Sequence, residues 1–263
     1  MNLLNQILSD KAREVAGFKK LMSLRRMQAA AGQTPKPRNW IRALRARPMG
    51  LIAEVKRRSP SVGVIRTPFD PVSIARAYEA GGAQALSVLM DHKYFGGGAG
   101  DFAAVRAAVK LPLLYKEFVV DPWQVWHARS LGASAVLLIV AALERRQLRS
   151  LMKLIIDLEM EPLVDVHDAR EFAVAVDLGT RCLGVNNRDL RTFTTSLQTT
   201  LDLADQTPRG ALLVSESGIR TARDVVKLQQ AGAEAVLVGE HLLRKRDLAC
   251  AVQNLMGRAW ASS

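Results

Sequence analysis

The feature of this sequence that most constrains its fold is a fragment that occurs four times, in which a glycine is closely followed by an apolar run. The four glycines are Gly82, Gly132, Gly179 and Gly232, so successive copies are separated by 50, 47 and 53 residues. Such a glycine is typical of a helix that ends in a left-handed residue, and the apolar run behind it predicts a short buried strand. The pattern therefore predicts helix–glycine–strand units along much of the chain.

Each unit also contains a residue that is suited to begin its helix. Asp70 and Asp121 are each followed by a proline, which places a capping carboxylate before a first-turn proline. Asp168 and Thr221 are the caps that we expect for the other two helices. Start and stop signals therefore predict the same four helices.

Four further apolar runs predict strands between these units, at residues 51–55, 113–115, 162–166 and 212–214. Together the two sets give eight strands, near residues 51, 85, 113, 135, 162, 182, 212 and 235. Helical patterns lie between the strands, for example at residues 101–109, 144–158 and 247–256.

Eight alternating units predict an α/β protein that is a single (β/α)8 TIM barrel. The composition agrees, since 49% of residues are hydrophobic and only 5% are aromatic, as expected of parallel strands buried on both faces. The alternative is an open doubly wound sheet. Such a sheet usually has fewer strands, and no Gly-x-Gly-x-x-Gly turn follows the first strand here.

Residues 1–48 precede the first strand, and we expect them to form a helical extension packed on the barrel of residues 49–263. The extension reads as a segment over residues 2–9, a long basic helix over 11–30, a Pro/Gly linker over 32–37 and a short helix capped by Asn39. Its apolar content is too low for a core of its own, so we do not expect a separate domain.

Positive charge is concentrated in this extension. Residues 1–48 contain eleven Lys and Arg against Asp10 and Glu14, a balance of +9, whereas the whole chain carries +12, which leaves +3 for the remainder. A basic arm could bind nucleic acid, attract an anionic substrate or be a solvated face. The arm lacks interleaved aromatic residues and any nucleic-acid motif, so nucleic-acid binding is not expected.

The two cysteines, Cys182 and Cys250, lack metal-ligand spacing, and we interpret them as isolated, buried thiols. No apolar stretch approaches the roughly 20 residues of a membrane-spanning helix, and residues 1–10 lack a signal-peptide pattern. We therefore expect a cytoplasmic protein without a membrane partner.

Polar residues follow the predicted strands at the positions where barrel enzymes carry their catalytic groups. Strand 1 ends in Glu54 and Lys56. Because successive side chains of a strand alternate between its two faces, these two point to the same side. The other strand ends contribute a similar set: Lys116 and Glu117, Asp165 and His167, Asn186 to Asp189, Glu216 and Ser217, and Glu240. Such a set of charged residues predicts a binding site for an ionic substrate, in which these side chains act as acids and bases. The alternative is that Glu54–Lys56 and Asp165–Lys116 are only structural ion pairs.

The loops after strands 7 and 8 predict a phosphate site. Ser217-Gly218 and Gly239-Glu240 offer backbone N–H groups to an anion, and glycine permits close approach. The loops at residues 57–68 and 91–100 are long or glycine-rich, so we expect both to be mobile, the first as an anion-binding lid.

Five motifs at these strand ends resemble the indole-3-glycerol-phosphate synthase family, and the resemblance extends over residues 7–243. The motifs are residues 52–56 (IAEVK) with 59–61 (SPS), 115–118 (YKEF), 184–190 (GVNNRDL), 215–219 (SESGI) and, more weakly, 87–89 (SVL) with 93–95 (KYF). Phosphoribosylanthranilate isomerase, a related barrel, uses a cysteine at the end of strand 1, where this chain has Glu54 and Lys56, so we set it aside.

The resemblance implies conversion of 1-(2-carboxyphenylamino)-1-deoxyribulose 5-phosphate to indole-3-glycerol phosphate, with loss of CO2 and water. It implies a small anionic phosphorylated substrate and no metal or organic cofactor. For the assembly we expect a monomer or a weak homodimer.

The resemblance also implies residue roles. Lys116 is the general acid for the ketone oxygen, and Lys56 lies near the substrate carboxylate and has a further proton-transfer role. Glu54 orients Lys56 or stabilises a cationic intermediate. Asp165 stands in the place of a general base, and Asn186 and Glu216 line the same pocket. The implied substrate-binding residues are Ser59, Ser61, Phe95, Phe118, Arg188, Ser217, Gly218, Gly239 and Glu240, with phosphate on Ser59, Gly218, Gly239 and the Glu240 backbone.

Four residues depart from the family pattern. Asp165 replaces a glutamate, Met90 a threonine, Glu117 an aspartate and Gly98 a serine. The shorter carboxylate of Asp165 would lie further from the substrate, and displacement by about an ångström can cost on the order of 10²-fold in rate. A diverged paralogue with an altered product, such as cyclisation without decarboxylation, is therefore the alternative function.

Overall fold

Eight parallel strands close into a barrel in the computed structural model, which describes residues 3–189 and 194–261. We number them β1 (Gly50–Val55), β2 (Ala85–Leu89), β3 (Leu113–Lys116), β4 (Ala135–Ile139), β5 (Glu161–Val166), β6 (Cys182–Asn186), β7 (Leu212–Glu216) and β8 (Ala235–Val238). Each strand pairs with its sequence neighbours, and β8 closes the barrel against β1. The predicted (β/α)8 barrel is confirmed. Leu190, the last residue of one family motif, lies outside the described residues.

Thirteen α-helices occur in the described ranges: α1 (Leu3–Leu21), α2 (Leu24–Gln33), α3 (Trp40–Leu44), α4 (Pro71–Gly81), α5 (His92–Phe95), α6 (Ala99–Ala108), α7 (Pro122–Ser130), α8 (Arg145–Asp157), α9 (Ala169–Asp177), α10 (Gln198–Ala204), α11 (Ala222–Gln230), α12 (Glu240–Leu243) and α13 (Leu248–Ala261). No helix among these residues is long and apolar enough to cross a bilayer.

The helix signals read from the sequence are confirmed. The carboxylates of Asp70, Asp121 and Asp168 and the hydroxyl of Thr221 accept backbone N–H groups at the start of α4, α7, α9 and α11. The repeat glycines at the other ends, 82, 132, 179 and 232, all have positive φ, between 74° and 103°. The repeating fragment therefore encodes where each helix begins and ends.

The division of the N-terminal extension at Asp10 is wrong, because α1 runs through Asp10 to Leu21. Its buried positions, Leu4, Ile7, Lys11 and Val15, have helical spacing that continues across Asp10. The helix is interrupted at Met22 instead, where the Ser23 hydroxyl accepts the backbone N–H of Arg26 and begins α2.

The short helix α3 closes the amino end of the barrel. As expected, the Asn39 side chain caps it, by accepting the backbone N–H of Arg42 at 2.8 Å. Trp40 and Leu44 are buried and join the apolar side chains that fill the barrel interior. A second apolar layer lies between the strands and the outer helices.

The interpretation of both cysteines as buried thiols holds for one of them. Cys182 is buried inside the barrel, whereas Cys250 is exposed. The buried face of α13 contains Ala251, Val252 and Leu255, and Cys250 lies outside that face.

A buried ion cluster ties α1 to the carboxyl end of the barrel. The Lys11 ammonium, 3% exposed, lies 3.0 Å from Asp91 Oδ2, 2.9 Å from Glu117 Oε2 and 2.5 Å from Glu14 Oε2. Burial raises the pKa of Glu117 to about 7, and Lys11 opposes that rise. Asp91 and Glu117 follow β2 and β3, so Lys11 is the cation that joins the extension to two loops of the barrel.

Replacement of Lys11 by Met tests this attachment. The change leaves buried carboxylates without their cation, so we expect the free energy of unfolding to fall by about 3–5 kcal/mol in urea titrations. The matched control is Lys19→Met, which removes a more exposed ion pair with Asp121 and should cost about 1 kcal/mol or less. Equal losses in the two variants would contradict the account.

Candidate active site

A cleft of about 570 Å³ opens at the carboxyl end of the barrel. The structure brings these predicted catalytic and substrate-binding residues to its walls: Glu54, Lys56, Ser59, Ser61, Phe95, Lys116, Phe118, Asp165, Asn186, Arg188, Glu216, Ser217, Gly218, Gly239 and Glu240. Their roles remain predictions. His167 and Asn187, which the sequence also placed at the rim, do not line the cleft.

Four ionisable side chains at the floor of the cleft come from alternate strands. Glu54, Lys116, Asp165 and Glu216 belong to β1, β3, β5 and β7. In barrels of this kind, the side chains of one interior layer come from every second strand. The four groups therefore face one another around the barrel axis, where three carboxylates surround one lysine.

Two close ion pairs neutralise much of this charge. The Lys56 ammonium contacts Glu54, and Lys116 Nζ lies 2.6 Å from Glu216 Oε2. Lys116 therefore forms its hydrogen-bonded ion pair with Glu216, and the Asp165–Lys116 ion pair considered from the sequence is not formed.

The carboxylates keep the Lys116 side chain charged. Burial lowers the pKa of Lys116, but the neighbouring carboxylates of Glu216, Glu54 and Asp165 outweigh it and raise the pKa above its ordinary value. Burial likewise raises the pKa of Glu54, but Lys56 and Lys116 outweigh it and lower the pKa. The cleft floor thus holds a protonated lysine beside an ionised carboxylate, which suits a proton donor next to a stabiliser of positive charge.

Two buried carboxylate oxygens on the cleft floor have no hydrogen-bond partner within residues 3–189 and 194–261. These atoms are Asp165 Oδ1 and Glu216 Oε1. Buried polar atoms are nearly always paired, and exceptions point to a ligand or a catalytic role. Either oxygen could accept a proton from a molecule bound in the cleft.

Asn187, which the sequence placed at the end of strand 6 without a role, organises the turn after β7. Its buried side-chain amide donates to Ser215 Oγ and to the carbonyl oxygens of Glu216 and Ser217, at 2.9–3.0 Å. Ser217 has φ of 67°, and this left-handed conformation is rare outside glycine. Its position in the motif at residues 184–190 did not distinguish an amide that faces the cleft from one that supports a turn.

The glycines of the predicted phosphate site are required by close packing. A Cβ on Gly239 would lie 2.5 Å from Glu54 Oε1, and one on Gly218, where φ is 81°, would lie 2.5 Å from the Thr195 side chain. Arg220 and Arg244 also line the cleft and were not predicted. They add positive charge to the part of the cleft formed by β7 and β8.

The predicted lid contains a small hairpin, in which Arg58–Ser59 pairs with Gly63–Val64. Ser61 Oγ accepts a hydrogen bond from Arg188 Nη1 at 2.8 Å, which links the lid to the loop after β6. Mobility of this loop and of the loop at 91–100 remains a prediction.

An apolar wall lies across the barrel from the glycine turns. Leu137 and Ile139 of β4 contribute to it, and the rings of Phe95 and Phe118 lie 6.2 Å apart. Helix α1 adds Leu4 and Ile7, which sequence reasoning missed as cleft residues. They lie on the buried face of α1 together with Lys11, and no local sequence signal indicates what that face covers.

No metal site is evident in the described part of the chain, since no three His, Cys, Asp or Glu side chains converge as ligands. The floor groups are instead lysine–carboxylate pairs, which suit proton transfer.

Comparison with known proteins gives consistent matches over the chain. The family model described as indole-3-glycerol phosphate synthase matches residues 4–255. A protein of that name from Acidithiobacillus ferrooxidans is 46% identical over 258 residues, which cover 97% of this chain and 98% of that protein. One from Chlorobaculum tepidum is 46% identical over 250 residues, which cover 94% and 98%.

Solved structures of low identity share the fold alone. The N-acetylmannosamine-6-phosphate 2-epimerase of Clostridium perfringens aligns with a TM-score of 0.62 at 16% identity, over 81% of this chain and 94% of that one. The thiamine phosphate pyrophosphorylase of Pyrococcus furiosus aligns with a TM-score of 0.62 at 16% identity, over 82% and 97%.

Replacement of Gly184 by Ala tests the tight packing beneath the cleft. Its Cβ would lie 2.5 Å from Glu216 Oε1 and 3.2 Å from Leu163 Cδ1. Overpacking of this kind should lower the free energy of unfolding, measured by urea titration, by about 1–3 kcal/mol. The control is Gly257→Ala in α13, where a Cβ meets nothing within 4 Å, and it should be neutral or stabilising. Indistinguishable unfolding of the two variants would disprove this packing.

Proposed function

The chain belongs to the indole-3-glycerol phosphate synthase family, and we propose how its cleft closes an indole ring. The enzyme is a carbon–carbon lyase of tryptophan biosynthesis that converts 1-(2-carboxyphenylamino)-1-deoxyribulose 5-phosphate to indole-3-glycerol phosphate, with loss of CO2 and water. The observation that carries the residue roles is the buried Lys116–Glu216 pair at the floor of a cleft with an apolar wall.

Lys116 acts as the general acid of ring closure. Attack of the aryl carbon on the ketone places negative charge on the ketone oxygen, which a protonated lysine neutralises by donating its proton. The raised pKa of Lys116 supports this role, because the side chain enters the reaction protonated.

Lys56 and Glu54 act on the other charges of the substrate. Lys56 lies near the substrate carboxylate until CO2 leaves. Glu54 is ionised and contacts Lys56, so it orients that lysine and stabilises the positive charge that closure leaves on the aniline nitrogen.

Asp165 is the general base of the loss of water, and it accepts the proton released by the carbon bonded to the ring nitrogen. The partnerless oxygen Asp165 Oδ1 supports this role. Lys56 donates the proton with which the hydroxyl group leaves as water. Asn186 and Glu216 line the same pocket and hold the intermediate between Lys116 and Asp165.

The substrate lies across the cleft with its aromatic ring on Phe95 and Phe118 and its phosphate at the glycine turns. Ser59, Gly218, Gly239 and the Glu240 backbone hold the phosphate, while Arg188, Ser61 and Ser217 hold the sugar chain. The cations Arg220 and Arg244 support this orientation.

The setting of the enzyme follows from the same proposal. We place it in the cytoplasm as a monomer or weak homodimer, with no nucleic-acid or membrane partner. Residues 1–48 act as an extension of the barrel, residues 49–263, since α1 lines the cleft.

The variant Lys116→Met tests the acid assignment. It preserves bulk but removes the proton donor, so the rate of indole formation, followed by product fluorescence, should fall at least about 10²-fold. Lys153→Met, which changes an exposed lysine paired with Asp157 on the surface of α8, is the control and should keep its activity. Full activity of the Lys116 variant would refute the assignment.

A further inference from the structure

A row of three titratable side chains runs from the cleft to the first turn of α9, and of these Asp165 is buried while His167 and Glu171 are half-buried. Asp165 Oδ2 lies 3.4 Å from His167 Nε2, and His167 Nδ1 lies 3.0 Å from Glu171 Oε2. The His167 side chain is 10% exposed and that of Asp165 is 3% exposed. Asp165 reaches the cleft, whereas His167 and Glu171 lie behind it.

The geometry determines where the protons of this row lie. Glu171 Oε2 also accepts the backbone N–H of His167 at 2.9 Å, so it is an acceptor and Nδ1 carries a proton. Nε2 is buried without a hydrogen-bond partner and lies 3.4 Å from Asp165 Oδ2. In a neutral ring this Nε2 would be unprotonated beside an ionised carboxylate, and both groups would then offer only acceptors. A proton on both nitrogens removes this conflict, so the ring lies as an imidazolium between two carboxylates.

Charge balance on the cleft floor supports the same arrangement. Lys56 contacts Glu54 and Lys116 contacts Glu216, which leaves Asp165 with His167 as its adjacent cation. Burial raises the pKa of Asp165 and Glu216 raises it further, whereas His167 and Lys116 oppose the rise. Burial lowers the pKa of His167, but Asp165, Glu171 and Glu216 outweigh it and raise it.

We propose that His167 is a positioning residue that keeps Asp165 ionised as the base of the reaction, and that Glu171 holds His167 in place. This inference rests on the proposed function of Asp165. His167 keeps Oδ2 in the row, so Oδ1 remains the oxygen that faces substrate. The proton of the imidazolium stays on the ring during turnover.

The test is the pH profile of kcat/KM for His167→Asn. Loss of the cation raises the pKa of Asp165, so the acidic limb should move to higher pH by about one to three units. Activity at neutral pH should fall and recover as the pH rises. Glu171→Gln should move the limb in the same direction by less, and His92→Asn, which changes an exposed histidine, should leave it in place. An unmoved limb in a folded His167 variant overturns the proposal.

A double-mutant cycle separates positioning from a general loss of structure. If His167 acts through Asp165, adding His167→Asn to Asp165→Asn should change kcat less than about twofold, because coupled effects are not additive. If the double variant instead loses kcat by the product of the two single-variant losses, the proposal is overturned.

NMR titration of the His167 ring needs no substrate and so distinguishes this inference from the catalytic one. The ring should titrate above pH 6.5 in the wild type and lower in Asp165→Asn and Glu171→Gln. If the His167 ring is neutral at pH 6.5, the proposal that it is the cation beside Asp165 is overturned, even if the enzyme turns over its substrate.

Discussion

The structure depends on the burial of a charged lysine among carboxylates in the mouth of a closed barrel. An isolated charge at that depth would be prohibitively costly, and Lys116 is tolerated because Glu216, Glu54 and Asp165 surround it. Alternate strands supply these groups, so the barrel fixes their spacing before substrate arrives. Preorganised charge of this kind is usually the largest contribution to catalysis.

The N-terminal extension completes this site from outside the barrel. Lys11 joins α1 to Asp91 and Glu117, and these residues adjoin the segments that carry Phe95 and Phe118. The carboxylate of Asp91 accepts the backbone N–H of Phe95, and that of Glu117 accepts the N–H of Phe118. One buried cation thus holds both the apolar wall and the helix that covers it. The high positive charge of the extension is consistent with attraction of an anionic substrate.

Much of the barrel and of the rim could be predicted from local sequence. Capping residues, repeat glycines and strand periodicity act over a few residues, so they identified the helices, the strands and the side chains at the strand ends. Which charged side chains pair with one another could not be predicted in this way, because pairing depends on the register between strands and on the length of the side chains. Lys116 contacts Glu216, one hundred positions away, and Lys11 contacts Glu117 at a separation of 106. The helix break at Ser23 was missed because Asp10 is an equally good cap by residue type.

The fate of the substrate carboxylate tests the central claim most directly. Wild-type enzyme should be incubated with 1-(2-carboxyphenylamino)-1-deoxyribulose 5-phosphate labelled with 13C in the carboxyl group, and the product should be weighed by mass spectrometry. The account predicts a product that has lost one CO2 and one water, with all label released as CO2. A cyclised product that retains the labelled carbon would contradict it and would indicate that Asp165 supports a changed reaction.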